Sequence, residues 1–182
     1  MEYFEERVAR DDKYHGIIVD VHLDRVRLND GSLANREVVE HPGGVAILPV
    51  DDKGFCYMVR QFRYPAGHMI LETPAGKLEY GEDHYACAVR ELSEETGFTA
   101  DEFIYLGVFY TSPGFSSEKL HVYLALGLHP GRCHLDEGEF LNVEKYSLDQ
   151  LMDMVMANQI EDAKTIIALL KAEKLLKQRG LE

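Results

Sequence analysis

Between residues 16 and 40 apolar and polar positions alternate. Val19, Val21 and Leu23 keep one phase, Val26 and Leu28 the other, with the break near Asp24. That period predicts strands. Asn29-Asp30-Gly31-Ser32 is a turn signal, and the extended run Ser32–Glu40 completes an N-terminal hairpin or small sheet. After Pro42-Gly43-Gly44 the pattern changes. GVAILPV, residues 44–50, is apolar without alternation, as in a strand covered on both faces. Asp51-Asp52-Lys53-Gly54 reads as a hairpin turn into FCYMVRQF.

Helical periodicity begins at Gly81 and runs to Thr96, where Gly97 suits a left-handed cap. Strands are predicted over 103–110 and 119–127, then helices over 147–157 and 160–179. The second of these carries the apolar set Ile166, Leu169, Leu170, Leu175 and Leu176. Strands come first and in pairs, with helices between and after. That order argues α+β with a mixed sheet over an alternating doubly wound fold. It divides the chain into an N-terminal strand region, 1–42, and a main domain, 43–182.

Composition narrows the function classes. At 182 residues, with 46% apolar and 28% charged residues, the chain has enough to bury a core. The net charge of −13 disfavours nonspecific nucleic-acid binding, and leaves an anionic substrate in need of a recruited cation. The start, MEYFEERVARDDKYHG, lacks the apolar stretch of a signal peptide. No apolar run is long enough to span a bilayer. Cys56, Cys87 and Cys133 form no CxxC pair, which argues against a disulfide framework or a thiolate zinc site. Cytoplasm is the expected compartment, with no membrane or nucleic-acid partner.

The segment 76–98, GKLEYGEDHYACAVRELSEETGF, holds Glu79, Glu82, Glu91, Glu94 and Glu95. On a helix Glu91, Glu94 and Glu95 share a face, and like charges at such spacing repel by roughly 0.2–0.5 kcal/mol per pair. A compensator is needed. Carboxylate oxygens suit a hard cation such as Mg²⁺, which is held by one or two carboxylates plus substrate phosphates. A solvated acidic face satisfies the same periodicity, with Tyr85, Ala88, Val89 and Leu92 docking on the sheet.

The spacing weighs toward the metal. Gly76, five residues, Glu82, seven residues, Arg90-Glu91-Leu92, one residue, Glu94-Glu95, one residue, Gly97-Phe98 resembles the Nudix box at every fixed position. Phe98 stands where the family more often has an aliphatic residue. The resemblance extends to REVVEH at 36–41, GVAILP at 44–49, VRQFRYP at 59–65 and ETPAGK at 72–77. These look like the ADP-ribose pyrophosphatase branch of the Nudix hydrolases. That branch carries a proline about sixteen residues beyond the box, the place of Pro113 here.

The resemblance implies an α/β/α sandwich around a mixed sheet, with an N-terminal antiparallel strand extension that dimerises. It implies Mg²⁺- or Mn²⁺-dependent hydrolysis of ADP-ribose to AMP and ribose 5-phosphate. The alternatives are a hydrolase of another nucleotide sugar, such as GDP-mannose, and a Nudix-like sensor that binds without cleaving. Carried over residue by residue, Glu91, Glu95 and the Ala75 carbonyl are metal ligands, and Glu94 is a catalytic carboxylate that reaches a further metal. Glu82 and Arg90 form a structural ion pair. In the acidic segment 136–139, spacing back from Val143 makes Glu137 the general base and Glu139 a further ligand; a solvated loop is the plain reading of the same residues. Arg63, at a strand end, is placed to fork onto a phosphate, though a surface arginine reads alike. Arg36 and Glu37 resemble residues that reach the adenine end from the partner subunit of a homodimer. Glu118 resembles one that meets the terminal ribose.

Overall fold

The computed structural model describes residues 3–135, 138 and 140–180. The chain forms two compact units. One takes the chain up to Gly43 together with Tyr110–Lys119. The other takes Gly44–Phe109 and the chain from Leu120 onward. Tyr110–Lys119 therefore packs with the N-terminal region from which it is distant in sequence.

The first unit is a meander of β1 (Glu6–His15), β2 (Asp20–Arg27) and β3 (Leu33–Glu40), in that order and antiparallel throughout. β1 was not anticipated. Six of the ten residues of its sequence, ERVARDDKYH, are charged, and it shows no apolar face. What specifies it is the neighbouring strand. The phase break at Asp24 marks an inward carboxylate, buried beside Val26, onto which Arg10 of β1 forks at 2.8 Å from both Nε and Nη2. The 110–119 segment joins β3 by backbone bonds, Val39 N–H donating to Phe115 O and Ser117 N–H to Val39 O.

The second unit contains β4 (Gly44–Pro49), β5 (Phe55–Arg63), β6 (His68–Glu72), β7 (Ala75–Lys77), α1 (His84–Thr96), β8 (Phe98–Tyr110), β9 (Lys119–Pro130), β10 (Leu141–Ser147), α2 (Leu148–Met156) and α3 (Ala163–Arg179). One sheet runs β7-β4-β9-β8, with β4 parallel to β9 and antiparallel to β7. A second runs β10-β5-β6, antiparallel. All six residues of β4 are buried. Val45 and Ile47 face Cys87, Ala88 and Leu92 of α1, while Ala46 and Leu48 face Leu151 of α2 and Ala168, Leu169 and Ala172 of α3. A strand covered by helices on both faces loses its alternation, as read. The α+β class and the mixed sheet between helices are as expected.

Several elements differ in detail. The Asp51–Gly54 turn forms, but the strands it joins separate into different sheets, leaving an isolated bridge between Val50 and Cys56. It is not a hairpin. In α3 Leu170 is 44% exposed, and the buried stripe is completed by Thr165, Ala168 and Ala172. Small residues take the inward positions because α3 lies close to β4. In α1, Tyr85 and Val89 are exposed and Cys87 is buried in their place. The inward stripe of that helix runs through Ala88, Leu92 and Glu95. Among the described residues no helix is long and apolar enough to cross a membrane.

Candidate active site on the box helix

α1 starts at the N-cap Asp83, whose carboxylate accepts from Tyr85 and Ala86 N–H, and ends at Gly97. Gly97 has φ 74°, the left-handed value that favours glycine, and its N–H closes onto Ser93 O. Between these caps the helix presents its glutamates to β7. Glu95, 3% exposed, accepts a hydrogen bond from Ala75 N–H at 2.9 Å. Glu91 packs on the next residue. A Cβ built at Gly76 would lie 1.8 Å from the Glu91 carboxylate, so only glycine permits the approach.

Arg90 is the compensator that the crowded carboxylates require within the chain itself. Its Nε and Nη2 bond both Glu82 oxygens at 3.0 and 3.1 Å, and its Nη1 bonds Glu91 and Glu94 at 2.7 and 2.8 Å. The expected Glu82–Arg90 pair is present, and the same guanidinium reaches two further glutamates. Its hydrogen bonds pull the Glu82 carboxyl from 4.5 down to about 2, against a smaller opposing effect of burial. Glu82 also accepts from Glu79 N–H at 2.9 Å, which fastens the loop before α1 onto the helix.

Glu91 and Glu95 supply carboxylate oxygens beside the Ala75–Gly76 main chain, with Glu94 sharing the Arg90 guanidinium with Glu91, and oxygen donors of this kind fit a hard divalent cation such as Mg²⁺. Among the described residues no three His, Cys, Asp or Glu side chains are drawn together as a ready-made metal cluster. Glu137 and Glu139, read as base and further ligand, lie outside the described residues.

Arg63, at the end of β5, is engaged with another residue. Its Nε and Nη2 each bond Glu72 at 2.7 Å. Glu72, 1% exposed, also accepts from Lys164 Nζ at 2.5 Å. Burial works to raise the Glu72 carboxyl, but Arg63 and Lys164 outweigh it and hold it below the ordinary range. Neither Glu72 nor Lys164 was singled out from the sequence. Glu72 stands in the ETPAGK segment that carried part of the resemblance, and Lys164 shows no local signal at all.

The remaining candidates belong to the first unit. Arg36 forks onto Glu5 at 2.8 and 2.5 Å. Arg36 and Glu37 line a groove with Leu23, Asn35, Gly114 and Phe115, so the loop containing Pro113 meets them there. Glu118 accepts from Thr111 Oγ1 at 2.6 Å and lies 3.6 Å from His41 Nδ1.

Residues 40–170 match the family model described as NUDIX domain. An ADP-ribose pyrophosphatase of Bacillus subtilis (strain 168) is 42% identical over 167 residues, spanning 91% of this chain and 90% of that protein. A methanol dehydrogenase activator of Bacillus methanolicus is 39% identical over 181 residues, 97% of this chain and 98% of that one. A crystal structure of an ADP compounds hydrolase aligns with a TM-score of 0.86 at 23% identity, covering 98% of this chain and 97% of that one, a likeness of fold. The family match spans both β4 and the complete box helix, and the protein belongs to the NUDIX domain family.

Proposed function

We propose that the protein hydrolyses the pyrophosphate bond of ADP-ribose to AMP and ribose 5-phosphate, as a homodimer that uses Mg²⁺ or Mn²⁺. The observation that carries this reading is the set of glutamates on α1, with Glu95 bonded to Ala75 N–H, Glu91 packed on Gly76, and Arg90 bonding Glu91 and Glu94. The name of the 42% identical relative supports ADP-ribose as the substrate.

Glu91, Glu95, the Ala75 carbonyl and Glu139 would hold the cation, with Glu94 beside them. When bound, the cation supplies charge neutralisation of the diphosphate and makes water easier to deprotonate. Arg90 bonds Glu82, Glu91 and Glu94 at once and so offsets their crowded charge before that happens. Glu137 takes the proton of the attacking water as its oxygen bonds to phosphorus and the bridging P–O bond breaks. Arg63 binds a phosphate, Arg36 and Glu37 hold the adenine end in the neighbour's site, and Glu118 meets the terminal ribose. Dimerisation through the strand region up to residue 42 is supported by apolar side chains exposed there, with Tyr3, Phe4 and Ile17 all more than two-thirds exposed. β1 also leaves a sheet edge that pairing would cover. Three free thiols accord with a cytoplasmic setting.

The test is a panel of nucleotide sugars with and without EDTA, with products separated by chromatography. AMP from ADP-ribose, abolished by EDTA, is the expected result. Preferential turnover of GDP-mannose would move the protein to the related branch, and no turnover with retained nucleotide binding would make it a sensor. Light scattering should give twice the 20.7 kDa chain mass.

A further inference from the structure

The β6–β7 connection, Glu72-Thr73-Pro74-Ala75, leads directly into the box site, and the first turn of α3 grips it from the far end of the chain. Lys164 Nζ bonds the buried Glu72 carboxylate at 2.5 Å and Asp162 Oδ1 at 3.0 Å. Thr165, fully buried, accepts from Thr73 N–H at 2.8 Å through Oγ1 and donates to Asp162 Oδ2 at 2.5 Å. Asp162 is itself the N-cap of α3, accepting from Thr165 N–H. Thr73 Oγ1 donates to Ile47 O, and Ile47 N–H returns to Pro74 O at 2.8 Å. The next residue is Ala75, whose N–H meets Glu95. The buried side chains of Glu72, Thr73 and Thr165 therefore each have a partner, as buried polar groups require.

The contacts set two things at once. Glu72 is the residue onto which Arg63 forks, so fixing Glu72 fixes the plane of that guanidinium. A carboxylate shared by Arg63 and Lys164 also carries one negative charge between two positive ones. Lys164 is in turn shared with Asp162, so the two cations and two carboxylates balance and hold one another in place. Thr165 instead fixes the main chain one step before Pro74 and Ala75. Outer residues of this kind orient ligands without touching the ion.

We infer that Lys164 and Thr165 are positioning residues, Lys164 for the Arg63 guanidinium and Thr165 for the Ala75–Glu95 side of the metal site. This rests on the function proposed above. It assigns a role to the C-terminal helix, which carries no residue of the box.

Thr165→Val keeps the shape and removes the hydroxyl; Thr165→Ser restores it. In the substrate-free protein, Mn²⁺ affinity measured by electron paramagnetic resonance should fall by about 10-fold in Thr165→Val and recover in Thr165→Ser. Lys164→Met should raise KM for ADP-ribose by about 10-fold with kcat changed far less, because it disturbs binding through Arg63. Lys164→Arg should recover part of it. Wild-type Mn²⁺ affinity in Thr165→Val, or an unchanged KM in Lys164→Met, overturns the corresponding assignment. Should Thr165→Val fail to fold, Thr165→Ala against Thr165→Ser reads the same difference. A wild-type protein that binds Mn²⁺ but cleaves no nucleotide sugar refutes the proposed function, while the Mn²⁺ comparison still decides the role of Thr165.

Discussion

Arg90 and Arg63 each fork onto a glutamate close by in sequence, Glu82 and Glu72, and there the likeness ends. Arg90 stands on the helix that bears the box glutamates and spreads one guanidinium over Glu82, Glu91 and Glu94, all partly exposed. Ion pairs in such a setting each contribute little to stability. Their effect is to let like charges be neighbours on one helical face. Arg63 shares the buried Glu72 with Lys164, which is 92 residues further along the chain. Burying charge is strongly unfavourable unless each group is matched, so this network depends on every partner. One arginine manages the charge of a site from within its own element. The other joins strands to a distant helix.

The sharpest break of the comparison is at the box. Glu95→Gln keeps an oxygen that can accept from Ala75 N–H while removing a charge from the proposed ligand set. Turnover should fall by about 10³-fold or more, with the melting temperature unchanged or slightly raised. A comparable loss of stability would instead make Glu95 a structural carboxylate. The buried network should fail the other way. Glu72→Ala leaves Arg63 and Lys164 without their shared anion, and urea denaturation should show a loss of about 3 kcal/mol, the lower end for a broken buried pair because Arg63 is partly exposed. A loss below about 1 kcal/mol would mean that water replaces the carboxylate without difficulty.

Gly76→Ala tests the close approach of β7 to α1. Its Cβ must displace the Glu91 carboxylate, the end of a flexible side chain, so stability should drop by only about 1 kcal/mol while the divalent-ion requirement rises. Titration of Mn²⁺ into the variant checks the second effect. The smallest effect is at Glu82. Its carboxyl is depressed from 4.5 to about 2 in the folded chain, so its contribution is present above pH 4.5 and is lost as the pH falls toward 2. Solvent screening limits it to about 1 kcal/mol. Glu82→Gln should be less stable than wild type at pH 7, with the difference shrinking from pH 4.5 downward and vanishing only below pH 2; a difference that did not shrink over that range would rule out this linkage.

Local signals carried far. The box spacing, the Gly97 end of α1, and the unbroken apolar run of β4 were all legible because each depends on neighbours within one element, whereas the helix read from Gly81 begins at His84 behind its Asp83 cap. β1 was not, since a strand of charged residues has no apolar period to read, and its pairing with β2 supplies the reason that it is a strand at all. β6, β7 and β10 were missed for a related reason: they are short or polar, and each gains its identity from the strand beside it. Leu170 was placed inside by its chemistry, whereas the closeness of α3 to β4 reserves inward positions for Ala168 and Ala172.

The sequence by itself determined the family and the helix that carries the glutamates, because a 3.6-residue period brings Glu91, Glu94 and Glu95 to adjoining positions wherever the helix forms. Only the tertiary structure decided that Glu95 meets the Ala75 backbone, that Arg63 is bound to a buried Glu72, and that Lys164 and Thr165 complete that arrangement. Those contacts join β6 and β7 to α1 and α3 across a packed core. The burial that makes them binding exists once the sheet and helices have closed over them, and no periodicity within one segment encodes it.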